Sequence, residues 1–269
     1  MKNYLRIFLA TTLAFSLVAC TDAEKEAAVE TFNENVATIE SNNEELQSAL
    51  DSLNDLIDSG DQPLNEETLT NAEQVAEEAN AYIFEVPEIP SKKEDIITKN
   101  EELASQLDIT EILASVTDSK KALSDSIAQM KQVTNPSEEF VLERIQTVAT
   151  VTEALAVTED NDPNGNLHKA GGYTSAIYFT SDMVDAAAYG LEGDSIVKGT
   201  DGGGCIEVYE TPEYAEKRSE YLSLLDGSAF ASGSHTVVGT VLIRTSDNLT
   251  ASQQTELETN IYNSLIELK

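Results

Sequence analysis

The chain has 269 residues, with 49 Asp or Glu against 16 Lys or Arg, for a formal net charge of −33 and a pI near 4.1. That balance excludes a nucleic-acid binder, whose phosphate contacts need Lys and Arg, and a polybasic membrane patch. The length is enough for one or two domains with real cores.

The N-terminus carries Lys2 and Arg6, then a mostly apolar run from Ile7 to Val18. That run is too short to span a ~30 Å hydrocarbon core as a helix, and it fits the apolar region of a signal peptide. It ends in Leu17-Val18-Ala19-Cys20. This matches a bacterial lipobox, in which a small residue admits the peptidase and the following cysteine thiol is lipidated. The expectation is a signal peptide over 1–19 and a palmitate-type lipid on Cys20. Cys205 is then the remaining thiol of two cysteines, so no intramolecular disulfide is available.

Residues 20–159 read as helical. Val29, Phe32, Val36, Ile39, Asn43, Leu46, Leu50, Leu53 and Ile57 repeat at alternating spacings of three and four. That is a coiled-coil seam interrupted by Asn43, which either sets register or faces water. Thr21 to Ser59 holds no Gly or Pro, so a helix there would run roughly 57 Å at ~1.5 Å per residue. A second helix is predicted from about Asn65 to Phe84 and ends before Val86-Pro87. A third is predicted from about Lys92 to Val133, with a kink or break near Asp108-Ile109-Thr110. A fourth starts at Asn135-Pro136-Ser137-Glu138, with Asn135 as N-cap and Pro136 at the first helical position. Val141, Ile145, Val148, Thr152 and Leu155 carry its apolar stripe.

From about Asp160 the pattern changes. The segment 21–159 has Phe32, Tyr82, Phe84 and Phe140 as its aromatics, whereas 160–269 has nine. Predicted strands are Tyr173–Thr180, Cys205–Glu210 and Thr236–Arg244. Predicted helices are a short one over Asp182–Tyr189, one opening at Thr211-Pro212 and ending at Asp226-Gly227, and a last one over Thr250–Leu268. Helices are expected on one face of a small sheet. The fold class is therefore α+β: an elongated antiparallel helical bundle over 20–159, coiled-coil-like, followed by a small three-stranded α/β domain over 160–269.

Three segments of that second half, DPNGNLHKAGGYTSAIYF (162–179), DGGGCIEVY (201–209) and GTVLIRTSDNLT (239–250), resemble the C-terminal domain of a family of Gram-positive bacterial lipoproteins. Members carry a DPN-x-L segment, a Gly-Gly-Tyr-Thr step and three glycines before an Ile-Glu-Val-Tyr-like strand. The resemblance covers about 160–269 and implies architecture and an extracytoplasmic location, not an activity. This chain departs from the pattern at His168, where the family has glycine, and at Cys205, where it requires no cysteine. Both departures count against a shared catalytic use of either residue.

Asp160, Asp162, Asn164 and Gly165 form the opening of an EF-hand-like loop, the oxygen ligands at positions 1, 3 and 5 of a calcium site. Position 12 is Gly171, so the bidentate glutamate would have to come from elsewhere, Glu207 or Asp201. The simpler reading is an Asx-rich turn, with calcium as the one cofactor worth weighing. Gly202, Gly203 and Gly204 could cradle an anion or let a strand pack closely, and Tyr173 is a further candidate ligand contact. Cys205 with His168 or His235 could form a nucleophile and base. A buried Cys205 away from both histidines would count against that, and an exposed face carrying Tyr173, Tyr178 and Tyr209 would favour binding. The expected function is a lipid-anchored cell-surface protein, in which a helical stalk presents a domain that binds a protein or cell-wall partner and no nucleic acid. The rival readings are a cell-envelope enzyme using Cys205 and a structural spacer.

Overall fold

A computed structural model describes residues 20–225 and 233–269, the side chains of 20–22 excepted. The expected signal peptide 1–19, the thiol of Cys20 and the expected helix end at Asp226-Gly227 lie outside the described residues. Among the described residues the chain is mixed α+β, with eight α-helices and a five-stranded antiparallel sheet. The helices are α1 (Cys20–Ile57), α2 (Glu66–Asn80), α3 (Lys93–Ala104), α4 (Thr110–Gln132), α5 (Glu138–Ile145), α6 (Ser195–Lys198), α7 (Pro212–Ser223) and α8 (Ala251–Ile266). The strands are β1 (Val151–Ala156), β2 (Tyr173–Ser181), β3 (Gly203–Tyr209), β4 (His235–Val238) and β5 (Val241–Thr245), in the order β1-β2-β3-β5-β4. None of these helices is long and apolar enough to cross a membrane.

Contacts divide the described residues into one unit of 20–58 and 71–120 and another of 59–70 with the described part of 121–269. In the first, the seam of α1 is buried at Phe32, Ile39, Leu46, Leu50 and Leu53. Phe32 and Ile39 meet Ile96 and Leu103 of α3. Asn43 is partly buried and spends its side-chain amide on backbone groups. Its Nδ2 donates to the Phe84 carbonyl at 2.7 Å, and its Oδ1 accepts the Phe84 N–H at 3.1 Å. The amide satisfies both backbone groups of a residue just before Pro87, where no helix can do so. Asn42 and Asn100 donate likewise to the carbonyls of Leu107 and Ala28. The break expected near Asp108 is present: α3 ends at Ala104, and Asp108 Oδ1 accepts the Thr110 N–H at 3.0 Å as α4 begins.

In the second unit the sequence reading needs several corrections. The sheet has five strands, not three. The first extra strand is β1, expected as the end of a fourth helix; it pairs antiparallel with β2, Ala154 opposite Phe179. The second arises because Thr236–Arg244 is a hairpin: Gly239 adopts φ +57, which splits it into β4 and β5. The helix expected to start at Asn135 is capped by Ser137, whose side chain accepts the Phe140 N–H, while Asn135 sits at φ +47 outside the helix. Residues 182–189 form turns, not a helix. The capping box of α8, Thr250 with Gln253, is complete.

Both faces of the sheet are covered, where cover on one was expected. One face carries Ile177, Phe179, Ile206, Val208, Val241 and Ile243, packed against Val141 and Ile145 of α5 and Leu257, Ile261 and Leu265 of α8. The alternate residues point the other way, as strand geometry requires. Ala176, Tyr178, Cys205, Tyr209 and Leu242 meet Ala215 and Leu222 of α7 together with Val157 and Leu167. A register shift between Tyr173 and Ser175 turns Tyr173 onto this second face. The division expected at 159/160 thus falls inside one unit, because α5 and β1 bury their apolar sides on the same sheet as the later strands.

Candidate functional site

The second face of the sheet holds a buried cluster of charged side chains. Glu207 on β3 and Arg244 on β5 occupy inward positions in otherwise apolar strands, and Arg218 reaches them from α7. The Glu207 carboxylate has no solvent exposure. Its Oε1 accepts from Arg244 Nη1 at 2.8 Å and Arg218 Nη2 at 3.4 Å; its Oε2 accepts from Arg218 Nε at 3.1 Å and the Tyr209 hydroxyl at 2.7 Å. Burial by itself would raise the Glu207 carboxyl, but the two guanidiniums and the phenol outweigh it and hold it below its ordinary value. One carboxylate faces two guanidiniums, so the group keeps a net positive charge. Arg218 Nη1 makes no hydrogen bond among the described residues.

Beside this cluster lies a cleft of about 380 Å³, lined by the turn at 166–172 and one flank of α7. Among the described residues its charged lining is Lys169, Lys217 and Arg218, its aromatic lining is Tyr209, Tyr214 and Tyr221, and no carboxylate lines it. On α7 the spacing Tyr214, Lys217, Arg218, Tyr221 places all four on one side of the helix. Lys217 Nζ stands 5.5 Å from the Tyr214 ring centroid, and the Arg218 guanidinium carbon 5.6 Å from that of Tyr221. These are cation–π distances. On the opposite wall Gly172 has no alternative, since a Cβ there would lie 2.0 Å from the Asn166 carbonyl oxygen.

The turn forming that wall is built on Asp162. Its Oδ2 accepts the N–H groups of Asn166 and Leu167 at 2.6 and 2.9 Å. Its Oδ1 accepts the Asn164 N–H at 3.0 Å and the Tyr173 hydroxyl. Asn164 Nδ2 donates to the Tyr178 hydroxyl at 3.0 Å. The carboxyl is partly desolvated, which would raise it, but the phenol and three amides together hold it below its ordinary value. Of the candidate calcium ligands, Asp162 therefore spends both oxygens on the turn, and Asp160 is exposed. Glu207 is taken by the arginines. Among the described residues no group of three or more His, Cys, Asp or Glu is placed to hold a metal ion.

The other sequence candidates fall elsewhere. Gly203 and Gly204 are buried within the sheet, where a Cβ on Gly204 would lie 2.2 Å from the Arg244 carbonyl oxygen and 2.4 Å from the Phe179 ring. They let β3 pack closely. Gly202 is buried where a one-turn 3-10 segment meets β3. Tyr173, Tyr178 and Tyr209 are all buried, so they do not form the exposed aromatic face that would favour binding. Tyr173 meets Tyr209 edge to face with centroids 6.2 Å apart. Cys205 is fully buried opposite Tyr178 and Arg244, and burial followed by the nearby Glu207 charge pushes its thiol up. His235 lies one strand further on, itself opposite Arg244. His168 is in the exposed turn, 3.3 Å from Glu159. Neither arrangement activates a thiol.

Sequence reasoning missed Lys169, Lys217, Arg218, Tyr214 and Tyr221. A signal was there: residues 160–269 contain six basic residues, Lys169, Lys198, Lys217, Arg218, Arg244 and Lys269, and three of them line this one cleft. Comparison of the chain with known family models, with curated proteins and with solved structures finds no match.

Proposed function

We propose that this is a lipid-anchored extracytoplasmic protein of the Gram-positive lipoprotein kind. In this reading an antiparallel, coiled-coil-like helical bundle acts as a stalk for a binding domain, and the binding site is the cleft between the 166–172 turn and α7. The anchor rests on the order of Lys2, Arg6, the apolar run and Leu17-Val18-Ala19-Cys20. Anchoring through two or three acyl chains is firm where one is marginal. The single observation that carries the binding role is the lining of the cleft: three cations and three tyrosines and, among the described residues, no acid, in a chain of net charge −33. A structural spacer has no need of such a recess. The enzyme reading loses its support, because Cys205 is buried with a raised thiol and no histidine is set against it.

The test has two readouts in the producing cell. Metabolic labelling with a fatty-acid analogue should mark the wild-type chain and not Cys20→Ser; label kept on the variant would refute the anchor. The released Cys20→Ser chain should be retained by purified cell-wall material or a surface partner, and Tyr214→Ala with Tyr221→Ala should abolish the retention. Retention unaffected by those substitutions would refute the cleft as the binding site.

A further inference from the structure

We infer that the cleft recognises an oxyanion, a phosphate or carboxylate group carried by its ligand. The inference rests on the cleft being the binding site and adds the chemistry of what enters it. Three features point to an anion. The first is charge: half of the six bases in residues 160–269 line one recess that no carboxylate lines among the described residues. Lys217 draws on the Glu213 carboxyl one turn back along α7, but neither Lys169 nor Lys217 makes an ion pair within 4 Å among the described residues.

The second is that two of the three cations, Arg218 and Lys217, have side-chain partners before any ligand arrives. Arg218 is pinned through Nε and Nη2 by a buried carboxylate and lies over Tyr221, and Lys217 lies over Tyr214. A side chain ordered in advance loses less entropy on binding. The third is that this pinning does not neutralise Arg218. Glu207 is shared with Arg244, so Arg218 retains both positive character and an unused Nη1. A guanidinium edge is matched to the two oxygens of a phosphate or carboxylate, and the lysines supply point charges beside it.

The experiment is calorimetric titration of the full chain carrying Cys20→Ser, with inorganic phosphate in one arm and succinate in the other. Saturable binding in at least one arm is expected, weakening as salt rises. Lys169→Gln with Lys217→Gln, both exposed in the parent chain, should weaken it by about ten-fold or more, the loss of charge-assisted hydrogen bonds. Phosphate binding alone would assign a phosphate ligand, and succinate binding alone a carboxylate. Binding that the double substitution leaves unchanged would overturn the inference, as would dissociation constants weaker than about 10 mM in both arms. If both arms fail while cell-wall retention persists and still depends on Tyr214 and Tyr221, the cleft remains the site and its ligand is not an oxyanion.

Discussion

Arg218 on α7 grips Glu207 on β3 through two nitrogens, Nε at 3.1 Å and Nη2 at 3.4 Å, and so ties a surface helix to the middle of the sheet. The same carboxylate anchors Arg244 from the neighbouring strand. Removing its charge leaves two guanidiniums in low-dielectric surroundings. Glu207→Gln should therefore cost about 3–5 kcal/mol of stability, the usual penalty for breaking a buried ion pair from one side. Urea unfolding followed by circular dichroism measures it. A loss below about 1 kcal/mol, the level of a surface pair, would mean the arginines find other partners.

Asp162 gives a pH signature. Its folded carboxyl lies below the ordinary value of 3.8, so its contribution is fully present above that value and is lost as pH falls through the lower folded value. Asp162→Asn keeps the shape but has one oxygen fewer and no charge. It should cost about 2 kcal/mol at pH 7, the scale of hydrogen bonds to a charged group. Thermal melts of both proteins from pH 7 to pH 2 should show the gap closing below about pH 4. Taking the difference removes the repulsion among the many other carboxylates, which relaxes over the same range. A gap independent of pH would assign the role to shape alone.

The sheet runs across residue 160, since β1 pairs with β2. A fragment of 160–269 lacks β1 and α5 and uncovers Ile177 and Phe179, which face them. It should melt with little cooperativity or at a clearly lower temperature than a fragment of 121–269, because the apolar area removed is worth about 25 cal/mol per Å². Circular dichroism melts of the two fragments make the comparison. Matching curves would restore the boundary at 160.

The sequence by itself determined what depends on near neighbours. The three-four spacing of α1 marked its buried side, since residues so spaced share one helix face. Pro212 after Thr211 placed the start of α7, and β2 and β3 were evident in their runs of apolar and aromatic residues. Asp162 and the glycines around it spelled a turn, because a carboxylate can bind the amides just beyond it.

Only the tertiary structure decided the rest. Val148, Thr152 and Leu155 fit a helical period, yet β1 is a strand because β2, more than twenty residues on, offers it an open edge. Glu207 and Arg244 looked like single charges in apolar strands until the sheet set them side by side and α7 laid Arg218 across them. Lys169 is almost fifty residues from Lys217, and no local pattern links them. Their shared cleft exists because Asp162 folds one wall and Glu207 anchors the other, and long-range pairing of this kind leaves no period in the sequence to read.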